Sequence, residues 1–179
     1  MVKGNVGSQQ QLNELFSETE DFFNNVVLYI EYSLHKDCYT ETGQLKGDAS
    51  IEGCVRLARL LFHNTAVLDF IPHMAPVFPN PIIVLRQGLE TTTPSGCCGL
   101  CQDLLIWLLF ISACSSPLLP SEWTFFVNSL ATAFHLQDVN SWQELRALLM
   151  RFSHMDRKYL LPLRALWGQV AAMGCMSYD

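Results

Sequence analysis

Charge is scarce in this sequence. Only 16% of its 179 residues are charged, and 17 acids outnumber the 11 lysines and arginines. So few basic residues exclude a surface built for nucleic-acid phosphates, which calls for clustered Lys and Arg, and direct DNA binding by this chain is not expected. The acidity is uneven: residues 1–53 hold nine acids against three lysines, while residues 54–179 hold eight of each sign. There is no GxGxxG, no Walker-type glycine loop, no HExxH and no GxSxG, so the chemistries those motifs support have no foothold here. The longest uninterrupted apolar run, Leu104 to Ile111, is shorter than the roughly 18–20 residues that span a bilayer. Met1-Val2-Lys3-Gly4-Asn5 has neither the apolar core of a signal peptide nor an arginine-rich transit pattern. The chain is therefore expected in a reducing compartment, such as the cytoplasm, and not outside the cell. The seven cysteines, an odd number, are expected to be free and mostly buried thiols. No repeat at a fixed period and no low-complexity tract is present.

Apolar residues are plentiful: half the chain, which excludes intrinsic disorder and suits one domain with a substantial core. The mean hydropathy of +0.19 is high for a soluble monomer. It points to a surface that expects a partner, or to a piece of a larger protein. The four tryptophans, Trp107, Trp123, Trp142 and Trp167, each fall in a segment of helical periodicity. Trp107 is expected in mid-core, the other three near helix ends, where they can clamp neighbouring helices.

Gln11 to His35 reads as one amphipathic helix, with Leu12, Leu15, Phe16, Phe22, Phe23, Val26, Val27, Ile30 and Leu34 on an i, i+3, i+4 track. Ser17 with Glu20 is an alternative start. Asp37 to Ser50, with Gly43 and Gly47, reads as a flexible loop. Asp48 or Ser50 caps the next helix, which runs to about Ile71. It buries Cys54, Leu57, Ala58, Leu61, Phe62 and Leu68 and turns Arg56, Arg59 and His63 outward. Pro72, Pro76, Pro79 and Pro81 mark an extended connection, followed by a short segment from Ile82 to Leu89 and a loop from Thr91 to Gly96. Ile82-Ile83-Val84-Leu85 alone suits a strand equally, but helix is favoured because no partner strand is in view. Further helices are expected over 98–114, 121–136, 141–153 and 157–173, with Ser121 as one cap and Ser141 to Glu144 as a capping box. Pro162 falls near the front of the last helix. The fold class is all-α, a single-domain bundle of about six to eight helices. Residues 1–47 form an acidic helix and loop, and residues 48–175 a helical module within the same compact domain.

Candidate chemistry is thin. Cys97, Cys98 and Cys101 are half a zinc site; Cys114 lies further on and no histidine follows until His135, so no metal or cofactor is assigned. His35, His63, His73, His135 and His154 follow no catalytic spacing and are expected at the surface or partly buried. Asp69 and Asp103 stand alone, as helix caps or dipole partners do. Arg146, Arg151, Arg157, Lys158 and Arg164 read as the solvated face of two helices, or else as a contact for an acidic segment of another protein. No catalytic residue is assigned, and the chain is not expected to be an enzyme.

Several of these patterns occur in a fixed order: Cys54-x-Arg56-Leu57-Ala58, the Leu104–Phe110 run with Trp107, Trp123 with Phe125-Phe126, Ser141-Trp142 leading to Leu149 and Phe152, and Leu166-Trp167 before Val170. In this order they resemble the carboxyl-terminal regulatory region of fungal zinc-cluster transcription factors, over about residues 50–173. The resemblance implies an all-helical module without catalytic residues that controls activation, dimer state or response to a metabolite. The six-cysteine zinc cluster, its basic neighbours and the coiled-coil linker of that family are absent from this sequence, and Ser153-His154-Met155-Asp156 follow Phe152 where the family tends to be more apolar. The chain is then either an excised regulatory region or a standalone protein without the DNA reader. The expected function is a transcription regulatory, protein-interaction module, acting through a second copy or another factor, with a small apolar effector as an additional ligand. The rival expectation is a small-molecule-binding or catalytic helical protein with a pocket between the Trp107 and Trp142 helices.

Overall fold

The computed structural model describes residues 22, 25–47, 50–67, 79–92, 102–152 and 156–175. Among the described residues seven α-helices carry the fold, and the class is all-α. In chain order they are α1 (residues 25–38), α2 (Ile51–Phe62), α3 (Pro79–Thr92), α4 (Gln102–Ser115), α5 (Pro120–Leu136), α6 (Trp142–Leu149) and α7 (Asp156–Cys175).

α4 is the hub, packing against α2, α3, α5 and α6. Its residues Ile106 to Ala113 are all buried, Trp107, Phe110 and Ser112 included. A helix that is apolar all round belongs in the interior, and here neighbours cover every side. The one polar side chain in the run, Ser112, donates its hydroxyl to the Leu108 carbonyl at 2.6 Å, so its burial leaves no orphan proton. α7 closes the bundle against α5 and α6. Its buried Tyr159, Leu163, Leu166 and Val170 recur at helical spacing on one face.

Local signals account for most helix ends. The Ser50 hydroxyl accepts from the Gly53 amide at 3.0 Å, which starts α2. The Ser141 hydroxyl accepts from the Glu144 amide at 3.2 Å, and the Glu144 carboxylate reaches back to the Asn140 amide at 2.8 Å. This is a capping box displaced by one residue on its return bond. Ser141→Ala is expected to cost about 1 kcal/mol of folding stability. Urea unfolding followed by circular dichroism checks it, and an unchanged midpoint would show that the cap is dispensable.

The structure departs from the sequence expectations in several places. α3 begins at Pro79, so Pro79 and Pro81 are helical, not part of an extended connection. The first-turn amides of a helix have no intrahelical partner, so the missing N–H costs nothing there. The helix also continues past Leu89 to Thr92, where the Thr91 hydroxyl donates to the Gln87 carbonyl at 2.7 Å. Ser121 is not the cap of α5: Leu119 is the N-cap residue, Pro120 opens the helix, and the Ser121 hydroxyl instead accepts from Arg86. α6 stops at Leu149 and not at 153, because the chain turns tightly through Arg151 and Phe152. Pro162 lies inside α7, held there by the buried residues on either side of it. Trp167 likewise sits in mid-helix.

Asp37 and Cys38 belong to α1, and the chain from Tyr39 to Lys46 forms a knitted turn. Thr40 donates its amide to Gln44 and Lys46 donates to Cys38, both at 2.8 Å, across a bridge between Tyr39 and Leu45. Gly43 supplies the positive φ of 74° at its tip, a conformation that side chains resist. The expected capping box at Ser17 and the helix over residues 11–21 lie outside the described residues.

Candidate interaction surface

α1 has two apolar faces. Val27, Leu34 and Cys38, at i, i+7 and i+11, are buried on one side. The Cys38 thiol donates to the Arg56 carbonyl of α2 at 3.5 Å, and desolvation raises its pKa to about 11, so it is neutral and unreactive at ordinary pH. The opposite face carries Val26, Tyr29 and Tyr32, with Leu28 and Ile30 at its flanks. Phe22, itself helical, stands seven residues before Tyr29. Phe22 is 71% exposed, Tyr29 72% and Tyr32 67%. The expected single track therefore needs correction, since its members Phe22, Val26 and Ile30 are exposed. Tyr29, Tyr32 and Leu28 belong to the exposed face and lie off the track. The signal is in the sequence all the same: Phe22, Tyr29 and Tyr32 stand at i, i+7 and i+10, out of phase with Val27 and Leu34.

A second unusual place is the π-helical turn His63–Val67 that follows α2. Such turns often mark functional positions. Thr65 donates its hydroxyl to the Leu61 carbonyl at 2.8 Å and lies 2.6 Å from the Tyr159 phenol, which acts as the donor of that second bond. The contact ties this turn to α7. His63 and Asn64 are buried, and His63 Nε2 and both polar atoms of the Asn64 side chain have no hydrogen-bond partner among the described residues. The expectation that His63 faces outward is thus corrected. Desolvation lowers its pKa below the ordinary value, the Glu31 carboxylate opposes that shift, and His35 adds to it. Glu31 and His35 belong to α1, which covers this side of α2; nothing in the periodicity of α2 reveals that cover. Asn64 falls three residues after Leu61 and seven after Leu57, a spacing that places it on the buried side of the same helical track.

The basic stretch is largely used inside the molecule. Arg146 grips Asp156 with two nitrogens, one at 2.8 Å; Arg151 pairs with Asp103 in the first turn of α4; and the Arg164 guanidinium lies 4.5 Å over the Trp142 ring. These contacts cross-link α6 to α7 and the segment after α6 to α4. Asp103 is thus a helix-start acid with a cationic partner, as a lone acid in a first turn should be. Arg86 performs a similar task between α3 and α5, reaching Glu90, Ser121 and Glu122 and lying 4.9 Å over Phe125.

The tryptophans join elements. Trp107 stacks on Phe152 at 6.0 Å, and Trp167 tilts against Phe134 at 5.6 Å, joining α7 to α5. Leu145 and Leu149 of α6 are fully buried in the same core as Trp107, so apolar side chains occupy the region between the Trp107 and Trp142 helices. Cys97, Cys98, Cys101, Asp69, His73 and His154 lie outside the described residues. Among the described residues no three His, Cys, Asp or Glu side chains gather where a metal ion would fit, and no helix is long and apolar enough to cross a membrane. No family model, no curated protein and no solved structure matches this chain.

Proposed function

We propose that the chain is a non-catalytic helical interaction module that regulates transcription, as its resemblance to the regulatory region of fungal zinc-cluster factors implies. It works in the nucleus and leaves the reading of DNA to another protein. The observation that carries the interaction reading is the exposed face of α1, where three aromatic and three aliphatic side chains meet solvent. An exposed apolar patch of this kind marks a contact site in a soluble protein. The internal pairing of Arg146, Arg151 and Arg164 supports the apolar face, and not the basic stretch, as the place of contact.

A reporter experiment tests this reading. The full chain, fused to a DNA-binding domain from an unrelated protein, is expected to shift transcription from the matching promoter several-fold. The Tyr29→Glu, Tyr32→Glu form should lose that shift while remaining folded. A fusion that is expressed and nuclear yet leaves the reporter unchanged would overturn the regulatory role.

A further inference from the structure

We infer that the exposed face of α1 is a self-association surface, its occupant a second copy of this chain whose α1 lies antiparallel across it. This inference rests on the reading of α1 as a contact face and goes further by naming the partner. It follows from the order of side chains about Tyr29. Helix neighbours on one face recur three, four and seven residues apart. At three residues on either side of Tyr29 stand Val26 and Tyr32, both apolar and exposed. At four residues stand Asn25 and Ser33, both small and polar; at seven, Phe22 and Lys36.

A two-fold axis through Tyr29 exchanges the members of each pair. Apolar then meets apolar at the inner positions, and small polar meets small polar at the next. At the ends, the Lys36 stem and ammonium of one copy meet the Phe22 ring of the other, a pairing that aromatic faces favour. Self-complementarity about an axis is the requirement of an isologous dimer. A foreign partner would impose no such symmetry on the sequence.

Charge selects the antiparallel arrangement. Lys36 is the only charged residue among these seven positions. Antiparallel pairing sets the two lysines roughly 20 Å apart along the axis, at about 1.5 Å per residue. That exceeds the Debye length of about 8 Å at physiological salt. Parallel pairing would place them side by side. Size agrees as well. Three aromatic side chains, each able to bury about 150–250 Å², and three aliphatic ones offer on the order of 600–800 Å². A stable interface needs about 800 Å² from each partner, a size the Tyr29 face nearly reaches before its polar rim is counted. Tyrosines at the centre suit it, since their rings bury while their hydroxyls reach the wet edge.

Analytical ultracentrifugation of the full chain over a range of concentrations tests the proposal. The native protein is expected to sediment as a dimer, and Tyr29→Glu should weaken self-association on the order of 100-fold, as for a central hot spot. Because Tyr29 is exposed, the variant should keep its helical circular dichroism as a monomer and melt cooperatively, at a temperature that does not vary with concentration. A mixture of Phe22→Cys and Lys36→Cys proteins, oxidised mildly, should give more mixed cross-linked dimer than either variant gives alone. Self-linked Lys36→Cys in place of the mixed species would overturn the antiparallel geometry. A native chain that stays monomeric, or a dimer indifferent to Tyr29→Glu, would overturn the second copy as occupant. Should the reporter effect still depend on Tyr29 and Tyr32 in that case, the interaction reading survives with a foreign partner.

Discussion

Phe110→Ala is expected to remove about 3–5 kcal/mol of folding stability, the largest single effect in this chain. Phe110 is fully buried in α4, the helix that touches most of the others, and its ring meets the Tyr159 ring edge-on at 5.8 Å. Truncation deletes the ring from water-free packing and leaves a cavity whose walls belong to separate helices. Those walls are pinned from outside: Tyr159 is bonded to Thr65 and stacked at 5.8 Å on Phe62. They cannot collapse into the void without breaking that contact, so the cavity cost should fall near the top of its usual range. Against a total stability of about 5–15 kcal/mol for a domain, the loss takes the chain close to unfolding. Leu161→Ala, at a position 78% exposed, is the control and should change stability by no more than about 0.5 kcal/mol. Urea denaturation of both proteins decides the matter. A Phe110→Ala midpoint as mild as that of Leu161→Ala would mean that α4 is not the hub.

The helical class, the α4 core and the start of α6 were legible because each rests on contacts within a few residues. Ser141 and Glu144 bond to amides of their own turn. Eight consecutive buried residues leave no alternative to an interior helix once the run is too short for a membrane. The boundaries that escaped depend on which backbone groups a helix leaves unpaired. Pro79 and Pro81 read as breakers but occupy a first turn. The end of α5, by contrast, falls at Leu136 as expected, although no glycine marks it. Asp138 takes the left-handed position, with φ of 51°, and the Val139 amide closes onto the Phe134 carbonyl at 3.1 Å. An aspartate in that role has no sequence mark to separate it from an ordinary loop acid.

The candidate surface was half legible. The apolar surplus forecast by hydropathy is visible on α1, yet which of its residues face solvent depends on where α2 lies. Val27 and Ile30 look alike in sequence, and only the tertiary neighbours separate the buried one from the exposed one. The same neighbours changed the meaning of His63, which periodicity turned outward and α1 encloses.

That enclosure makes stability depend on pH, with a sign set by the direction of the shift. Burial holds the His63 imidazole below its ordinary value of 6.5, so the unfolded chain takes up a proton there before the folded chain does. Above that value both states are neutral and the fold keeps its full stability. As pH falls below about 6.5 the unfolded state gains the proton and the fold loses stability, down to the depressed folded pKa. His63→Leu should flatten the stability profile through this window. It should also raise stability at pH 7.5 by about 1 kcal/mol, since it removes a buried ring nitrogen that has no partner among the described residues. Glu31→Gln should act in the opposite sense to flattening. It withdraws the carboxylate that holds the His63 pKa up, widens the gap from the unfolded value and steepens the acid loss. Thermal melts of the three proteins between pH 7.5 and 5 separate these outcomes. If His63→Leu retains the native slope, another group carries the acid sensitivity. If Glu31→Gln fails to steepen it, α1 does not supply the field that His63 experiences. The second result would matter beyond pH, because the cover that α1 gives His63 also fixes which face of α1 is left open for a partner.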